Sequence, residues 1–156
     1  MLLNAIIIDD EPKNIRLLKS MIAELLPTVT VRGDADNVAE GIQLAKAVQP
    51  HLVFLDIRMS EEDDGFRFFN AFKQPISFEV IFVTAHDVYL KRAFNQTFAT
   101  GYILKPIDPN DLVQVVFKAK QKILAIENGH STLHTVVMLL KYMDKFHVLL
   151  LFLLYY

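Results

Sequence analysis

Leu52-Val53-Phe54-Leu55-Asp56 is an unbroken apolar run closed by a single carboxylate. Two other runs in the chain end in the same manner. Ala5-Ile6-Ile7-Ile8 leads into Asp9-Asp10, and Gly101-Tyr102-Ile103-Leu104 leads into Lys105. In an open parallel α/β sheet the C-terminal strand ends share one edge, and ligands bind at that edge. An acidic pair, a lone aspartate and a lone lysine gathered there describe a site for a divalent cation and a phosphoryl group.

Outward from these runs the chain alternates between strand-length and helix-length segments. The strand candidates are Leu3–Ile8, Thr28–Gly33, Leu52–Leu55, Val80–Thr84 and Gly101–Leu104. They are near-continuous in Val, Ile and Phe, which suits parallel strands covered on both faces. The first helix starts at Pro12 after Glu11, carries Ile15, Leu18, Ile22 and Leu25/Leu26, and stops at Pro27. Asp36 can cap a second helix bearing Val38, Ile42, Ala45 and Val48 and ending before Pro50. A third helix follows Gly65 with Phe66, Phe69 and Phe72/Lys73, and a fourth runs from about Asp87 to Gln96. Asp108-Pro109 opens the fifth, whose apolar face is Leu112, Val116, Ala119, Ile123 and Ile126. Five βα units in a row predict a doubly wound α/β sheet with right-handed crossovers.

The bulk numbers narrow the function classes. At 156 residues the chain is one domain by length, with room for a core. Lys and Arg number 16 against 18 Asp and Glu, so no basic stripe points to nucleic acid. The absence of cysteine excludes a disulfide framework, a thiolate nucleophile and a thiolate metal ligand. No basic, apolar leader precedes the first strand, and the expected location is the cytoplasm. From Leu133 onward the chain is mostly apolar and ends in the unbroken run Val148–Tyr156. A membrane span needs roughly 20 apolar residues, and Lys141, Asp144, Lys145 and His147 interrupt any longer window. The expectation is a tail, residues 129–156, that packs on a partner chain or on the domain's own surface.

Each site residue has an ordinary reading beside its chemical one. Asp9 and Asp10 could simply favour the positive end of the following helix, an effect of about 0.3–1 kcal/mol. Adjacent acids repel, however, and Mg²⁺ with its octahedral oxygen shell would relieve that repulsion. Asp56 alone is a turn residue; beside an acidic pair it becomes a nucleophile able to carry an aspartyl phosphate. Lys105 before Pro106 is either a surface turn or a fixed ammonium facing developing phosphoryl charge. Thr84 is an unremarkable strand end unless a phosphoryl oxygen lies within reach of its hydroxyl.

Taken together, the acidic pair, Leu55-Asp56-Ile57, Val83-Thr84-Ala85 and Leu104-Lys105-Pro106 resemble, in order, the receiver domain of a two-component response regulator. Residues 1–128 cover essentially all of such a domain. The stretches Val80–Asp87 and Tyr102–Asp108 are most similar to regulators of the LytR/AlgR (LytTR) type. The resemblance implies a flavodoxin-like (βα)5 fold with its parallel sheet in the order 2-1-3-4-5. It implies that a sensor histidine kinase phosphorylates Asp56. Asp10, Asp56 and the backbone carbonyl of Arg58 would hold Mg²⁺, with Asp9 acting mainly through water. Lys105 would pair with the phosphoryl group, Thr84 would swing toward it, and Tyr102 would be the switch aromatic. A cis Lys105–Pro106 bond is implied too, as is a homodimer through the fourth helix, fifth strand and fifth helix.

Two departures accompany the resemblance. Met59 is followed by Ser60 where the family usually has proline, and the family's glycine arrives one position late, at Gly65. The acidic stretch Glu61-Glu62-Asp63-Asp64 between them reads as a solvated loop. LytR/AlgR-type proteins also continue into a β-rich DNA-binding domain, for which this chain has no room, so no nucleic-acid contact and no membrane contact is expected from it. His130 and His134 lack a third metal ligand, and His86 is as plausible in a loop as beside the site. A haloacid-dehalogenase-type phosphatase is the rival enzyme class, but its second acid follows the nucleophile by two residues, where this chain has Arg58. A receiver fold used only as a binding module is the other rival. Nothing like Gly-x-Gly-x-x-Gly follows the first strand, which disfavours a nicotinamide site.

Overall fold

Five parallel strands form one sheet in the order β2-β1-β3-β4-β5. They are β1 (Leu3–Ile8), β2 (Val29–Ala35), β3 (Leu52–Leu55), β4 (Glu79–Thr84) and β5 (Gly101–Leu104). This is the expected flavodoxin-like order. The computed structural model describes residues 1–59, 64–73, 76–85 and 99–127. The expected fourth helix, His86, Phe94, His130, His134 and the tail 129–156 lie outside the described residues. Two compact units divide the chain, Met1–Lys120 and Gln121–Tyr156, so the division falls inside the last helix.

The central strands behave as near-continuous apolar runs should. In β1 and β3 every residue except Asn4 is buried, and alternate side chains serve the two faces. Ile6, Ile8, Val53, Leu55, Val80 and Phe82 face one way, into a cluster with Val38 and Ala45 of the second helix and with Phe66, Phe68 and Phe69. Ile7, Phe54 and Ile81 point the other way and are no more than 1% exposed, so that face is covered as well. β2 departs from the expectation. It is an edge strand whose burial alternates, it runs on to Ala35, and its register slips where Ala5 pairs with Val31 but Ile6 with Gly33. The bulge leaves Arg32 exposed and unpaired in that register, as edge strands commonly do.

Helix α1 (Pro12–Leu25) begins with proline at its first position and buries Ile15, Leu18 and Ile22, as its stripe requires. The second helix, α2 (Val38–Val48), is capped by Asn37 and not by Asp36. The Asn37 side-chain oxygen accepts from Glu40 N at 2.9 Å, while Asp36 accepts from the Asn37 amide at 2.7 Å. The Asp36 carboxylate thus supports the cap one residue further on. Gly41 brings α2 against the sheet: a Cβ there would meet Ile8 Cδ1 at 2.5 Å. The helix ends at Gln49, held in the left-handed region at φ 48° and ψ 61°, with its N–H donating to Ala45 O at 2.9 Å. A side chain pays for that conformation and glycine does not. Gln49→Gly is therefore expected to stabilise the domain by about 0.5–1 kcal/mol net of the added chain entropy, read as a raised denaturation midpoint with an unchanged denaturant slope.

The third helix is shorter than its phenylalanines suggested. One α turn, Asp64–Arg67, passes into a 3₁₀ turn, Phe68–Ala71. Exposure then repeats every three residues, at Arg67, Asn70 and Lys73, which is the 3₁₀ period. Phe68 is completely buried within the turn, whereas Phe72 follows it in extended backbone and is only partly buried. The last helix, Pro109–Glu127, opens as expected, with Asp108 Oδ1 accepting from Asn110 N at 2.7 Å. Leu112, Val116, Ala119 and Ile123 are buried, but Ile126 is 60% exposed and does not belong to the buried face.

Candidate functional site

The strand registers bring the separate runs together. Ile8 pairs with Leu55, Leu55 with Phe82, and Thr84 with Leu104, so Asp9, Asp56, Thr84 and Lys105 emerge along one sheet edge. Backbone bonds continue the ladder past the strand ends. Asp56 N donates to Ile8 O at 2.9 Å, Asp9 N to Ala35 O at 3.1 Å, and Lys105 N to Thr84 O at 2.8 Å. In the order β2-β1-β3 the connections leave in opposite directions between β1 and β3, and the crevice at such a switch point is where open α/β sheets bind ligands. Asp9 and Asp56 stand on its two sides.

Lys105 links them. Its Nζ donates to Asp56 Oδ2 at 2.6 Å and to Asp9 Oδ2 at 2.7 Å. Asp9 and Asp56 are only 4% and 6% exposed, so this is a nearly buried bridge and not a surface ion pair. Burial pushes the Asp56 carboxyl above its usual range, opposed by the hydrogen bond and charge of Lys105 and reinforced by Asp9. Burial acts on Lys105 in the opposite sense, favouring the neutral amine, yet the bonds and charges of Asp56 and Asp9 outweigh it and leave the ammonium above its ordinary value. Asp10 is exposed and also raised, by partial burial first and by Asp9 second. The lysine therefore stays charged while the carboxyls are under pressure to shed charge, a combination that favours a further cation at the site.

The remaining oxygens are also held. Asp9 Oδ1 accepts from Glu11 N at 2.9 Å and from the Asn14 side-chain amide at 3.2 Å. Arg58 N donates to Asp56 Oδ1 at 3.2 Å, so Arg58 meets the site through its backbone while its side chain is exposed. Oxygens of Asp9, Asp10 and Asp56 lie within 4.8 Å of one another, close enough for a single cation. Such an all-oxygen set suits a hard divalent ion and not a soft one. Thr84 is fully buried at the end of β4, and Tyr102 is half-buried in β5, packed against the aromatic cluster. The Lys105–Pro106 bond is cis, as the resemblance implied.

One contributor was not legible in the sequence, and a second was legible only as a displaced family position. Asn14 reaches Asp9 from the first turn of α1, and only the Pro12 helix start, with its fixed phase, hinted that it could. Gly65 lies so close beneath Asp56 that a Cβ would stand 2.4 Å from the Asp56 carbonyl oxygen, while its N–H donates to Ile57 O at 3.1 Å. The late glycine therefore still packs against the Asp56 backbone despite the altered spacing.

Comparison with known proteins gives a family match. Residues 5–117 match the family described as the response regulator receiver domain. The sensory transduction protein LytT of Bacillus cereus is 36% identical over 134 residues, which is 83% of this chain and 52% of LytT. The positive alginate biosynthesis regulatory protein of Pseudomonas aeruginosa is 33% identical over 119 residues, 76% of this chain and 48% of that protein. This chain thus spans about half the length of these relatives. Among solved structures, the REC domain of AraT, a response regulator from Geobacillus stearothermophilus, superposes with a TM-score of 0.69 at 26% identity, covering 81% of this chain and 99% of that one.

Proposed function

The chain belongs to the response regulator receiver family, and from that we propose that Asp56 accepts a phosphoryl group from a sensor histidine kinase in a reaction that requires Mg²⁺. The observation that carries this reading is Lys105 bridging Asp9 and Asp56 beside a three-carboxylate cluster at the switch point of the sheet. An Asp56 oxygen attacks phosphorus as the phosphorus–nitrogen bond of a phosphohistidine breaks, and the departing imidazole keeps the electron pair. Asp10, Asp56 and the Arg58 carbonyl would hold Mg²⁺, with Asp9 acting through water; the ion, when bound, offsets phosphoryl charge. Lys105 is already charged and already on Asp56, so its ammonium reaches an incoming phosphoryl oxygen with little reorganisation. A small phosphodonor should add one hydroxylamine-labile phosphoryl group, mapped by peptide mass spectrometry to Asp56. A label on any other residue defeats the assignment.

Metal binding separates the two adjacent acids. Asp10 is exposed and close to the cluster, whereas Asp9 already has protein donors on both oxygens. Asp10→Asn is expected to weaken Mg²⁺ binding about tenfold or more, equivalent to at least about 1.4 kcal/mol, and Asp9→Asn to weaken it less. Because burial and Asp9 both raise the Asp10 carboxyl, Asp10→Asn should also melt at higher temperature than the unsubstituted chain without metal, and gain less on adding Mg²⁺. Tyrosine fluorescence can follow the titration, there being no tryptophan. An unchanged affinity in Asp10→Asn would remove it from the ligand set.

The output reading follows from the same chemistry. Phosphorylation adds roughly −1.5 to −2 charges, which should draw in Thr84 and Lys105 and allow Tyr102 to move inward, biasing a homodimer through the fourth helix, fifth strand and fifth helix. Beryllofluoride with Mg²⁺ should accordingly increase self-association and slow amide exchange in β5. Identical sedimentation and exchange with and without it would defeat the switch. Among the described residues no helix is long and apolar enough to cross a membrane. We place the protein in the cytoplasm with a kinase partner, residues 1–128 acting as the signalling domain and 129–156 as a separate tail. Transcriptional control is the output we propose, in keeping with relatives whose names describe sensory transduction and positive regulation of alginate biosynthesis.

A further inference from the structure

The two oxygens of Asp9 are held by different parts of the chain. Oδ2 accepts from the ammonium of Lys105, which Asp56 shares, while Oδ1 is fixed by Glu11 N and by the Asn14 amide. Glu11 N belongs to the loop that carries the acidic pair, whereas Asn14 is anchored in α1, its own N–H donating to Glu11 O at 2.9 Å. Once a bound cation competes with the Lys105 ammonium for Oδ2, the contacts that remain on Asp9 among the described residues are those on Oδ1. A carboxylate held by one backbone N–H alone can still turn about its side-chain bonds; a second donor from a different element stops that rotation.

We propose that Asn14 is a positioning residue for the cation site: its amide locks the Asp9 carboxylate so that Oδ2 faces the cation and its water while Lys105 changes partners. The inference rests on the metal-dependent phosphoacceptor reading above. Outer-shell partners that orient metal-site carboxylates commonly contribute 10–100-fold in affinity. The lower end applies here, because Glu11 N still holds the same oxygen after Asn14 is removed.

The test is a double-substitution cycle read by Mg²⁺ titration of the unphosphorylated chain, followed by tyrosine fluorescence or carboxylate NMR. Asn14→Ala should raise the Mg²⁺ dissociation constant about tenfold. Asn14→Leu, similar in volume but without a donor, should do the same, which separates the hydrogen bond from packing. In an Asp9→Ala background, which leaves no side-chain oxygen for the Asn14 amide to hold, either change should alter the constant by less than about twofold. No effect of Asn14→Ala in the native background, or the same factor in both backgrounds, overturns the inference. Phosphodonor labelling is run alongside. Labelling of Asp56 without coupling between Asn14 and Asp9 defeats this inference alone. Coupling without labelling of Asp56 defeats the phosphoacceptor reading and leaves the role of Asn14 in the cation site standing.

Discussion

Asp56→Asn is expected to abolish phosphoryl uptake altogether while leaving the domain folded. The amide has nearly the shape of the carboxylate, and its oxygen can still accept from Lys105 Nζ and Arg58 N. It lacks the anionic oxygen that attacks phosphorus, so the change removes the nucleophile and little else. The stability argument has a definite sign. Burial raises the Asp56 carboxyl above 3.8, so the folded state resists ionisation, and stability contributed by this group falls as pH rises from the unfolded value through the raised one. Near neutrality the native carboxylate carries that penalty and the amide does not. Melting temperature should therefore hold or rise in Asp56→Asn while hydroxylamine-labile label disappears. Equal labelling of the Asn variant would move the phosphoacceptor elsewhere, and a collapse in melting temperature would mean that the Lys105 bridge depends on the charge of Asp56.

Phe68→Ala is expected to be among the most damaging single truncations of the described residues outside the acidic site. Phe68 is fully buried, with ring centroids 5.0 Å from Phe72, 5.9 Å from Phe78 and 6.2 Å from Phe69. Truncating a buried phenylalanine costs about 3–5 kcal/mol, a large fraction of the roughly 5–15 kcal/mol that holds a domain together. Phe117→Ala is the control, because that ring is 62% exposed and should cost within about 0.5 kcal/mol. Chemical denaturation of the two variants checks the contrast. Similar midpoints for both would mean that the aromatic cluster relaxes around the lost ring.

The position of Phe68 illustrates what local pattern can and cannot supply. An α-helical reading of the segment after Gly65 selects Phe66, Phe69 and Phe72, the three-to-four spacing of an α stripe. The chain instead tightens to a 3₁₀ turn that ends at Ala71, so Phe72 leaves in extended backbone and is only partly buried, while Phe68 is fully buried in the cluster. Phe68 packs there against Phe78 as well as Phe72, a contact that no local period announces. The cap of α2 moved from Asp36 to Asn37 for a related reason. Both residue types suit the position, and β2, running on to Ala35 after its bulge, decides which of them reaches the Glu40 N–H.

The three apolar runs, their polar ends and their alternation with helical stripes were readable residue by residue, because strand periodicity and helix starts are local properties of a chain. They were enough for the parallel α/β class, and the motif order around Asp9, Asp10, Asp56, Thr84 and Lys105 was enough to suggest the family. Which oxygen meets which donor was not local. Lys105 reaches Asp9 and Asp56 across 96 and 49 residues, and the Asn14 amide reaches Asp9 only because α1 starts at Pro12 with a fixed phase. Side-chain hydrogen bonds form over about 3 Å and fail a little beyond it. Sequence spacing can therefore name the groups that share a sheet edge, but their partners depend on strand register, helix phase and burial, which only the folded chain sets.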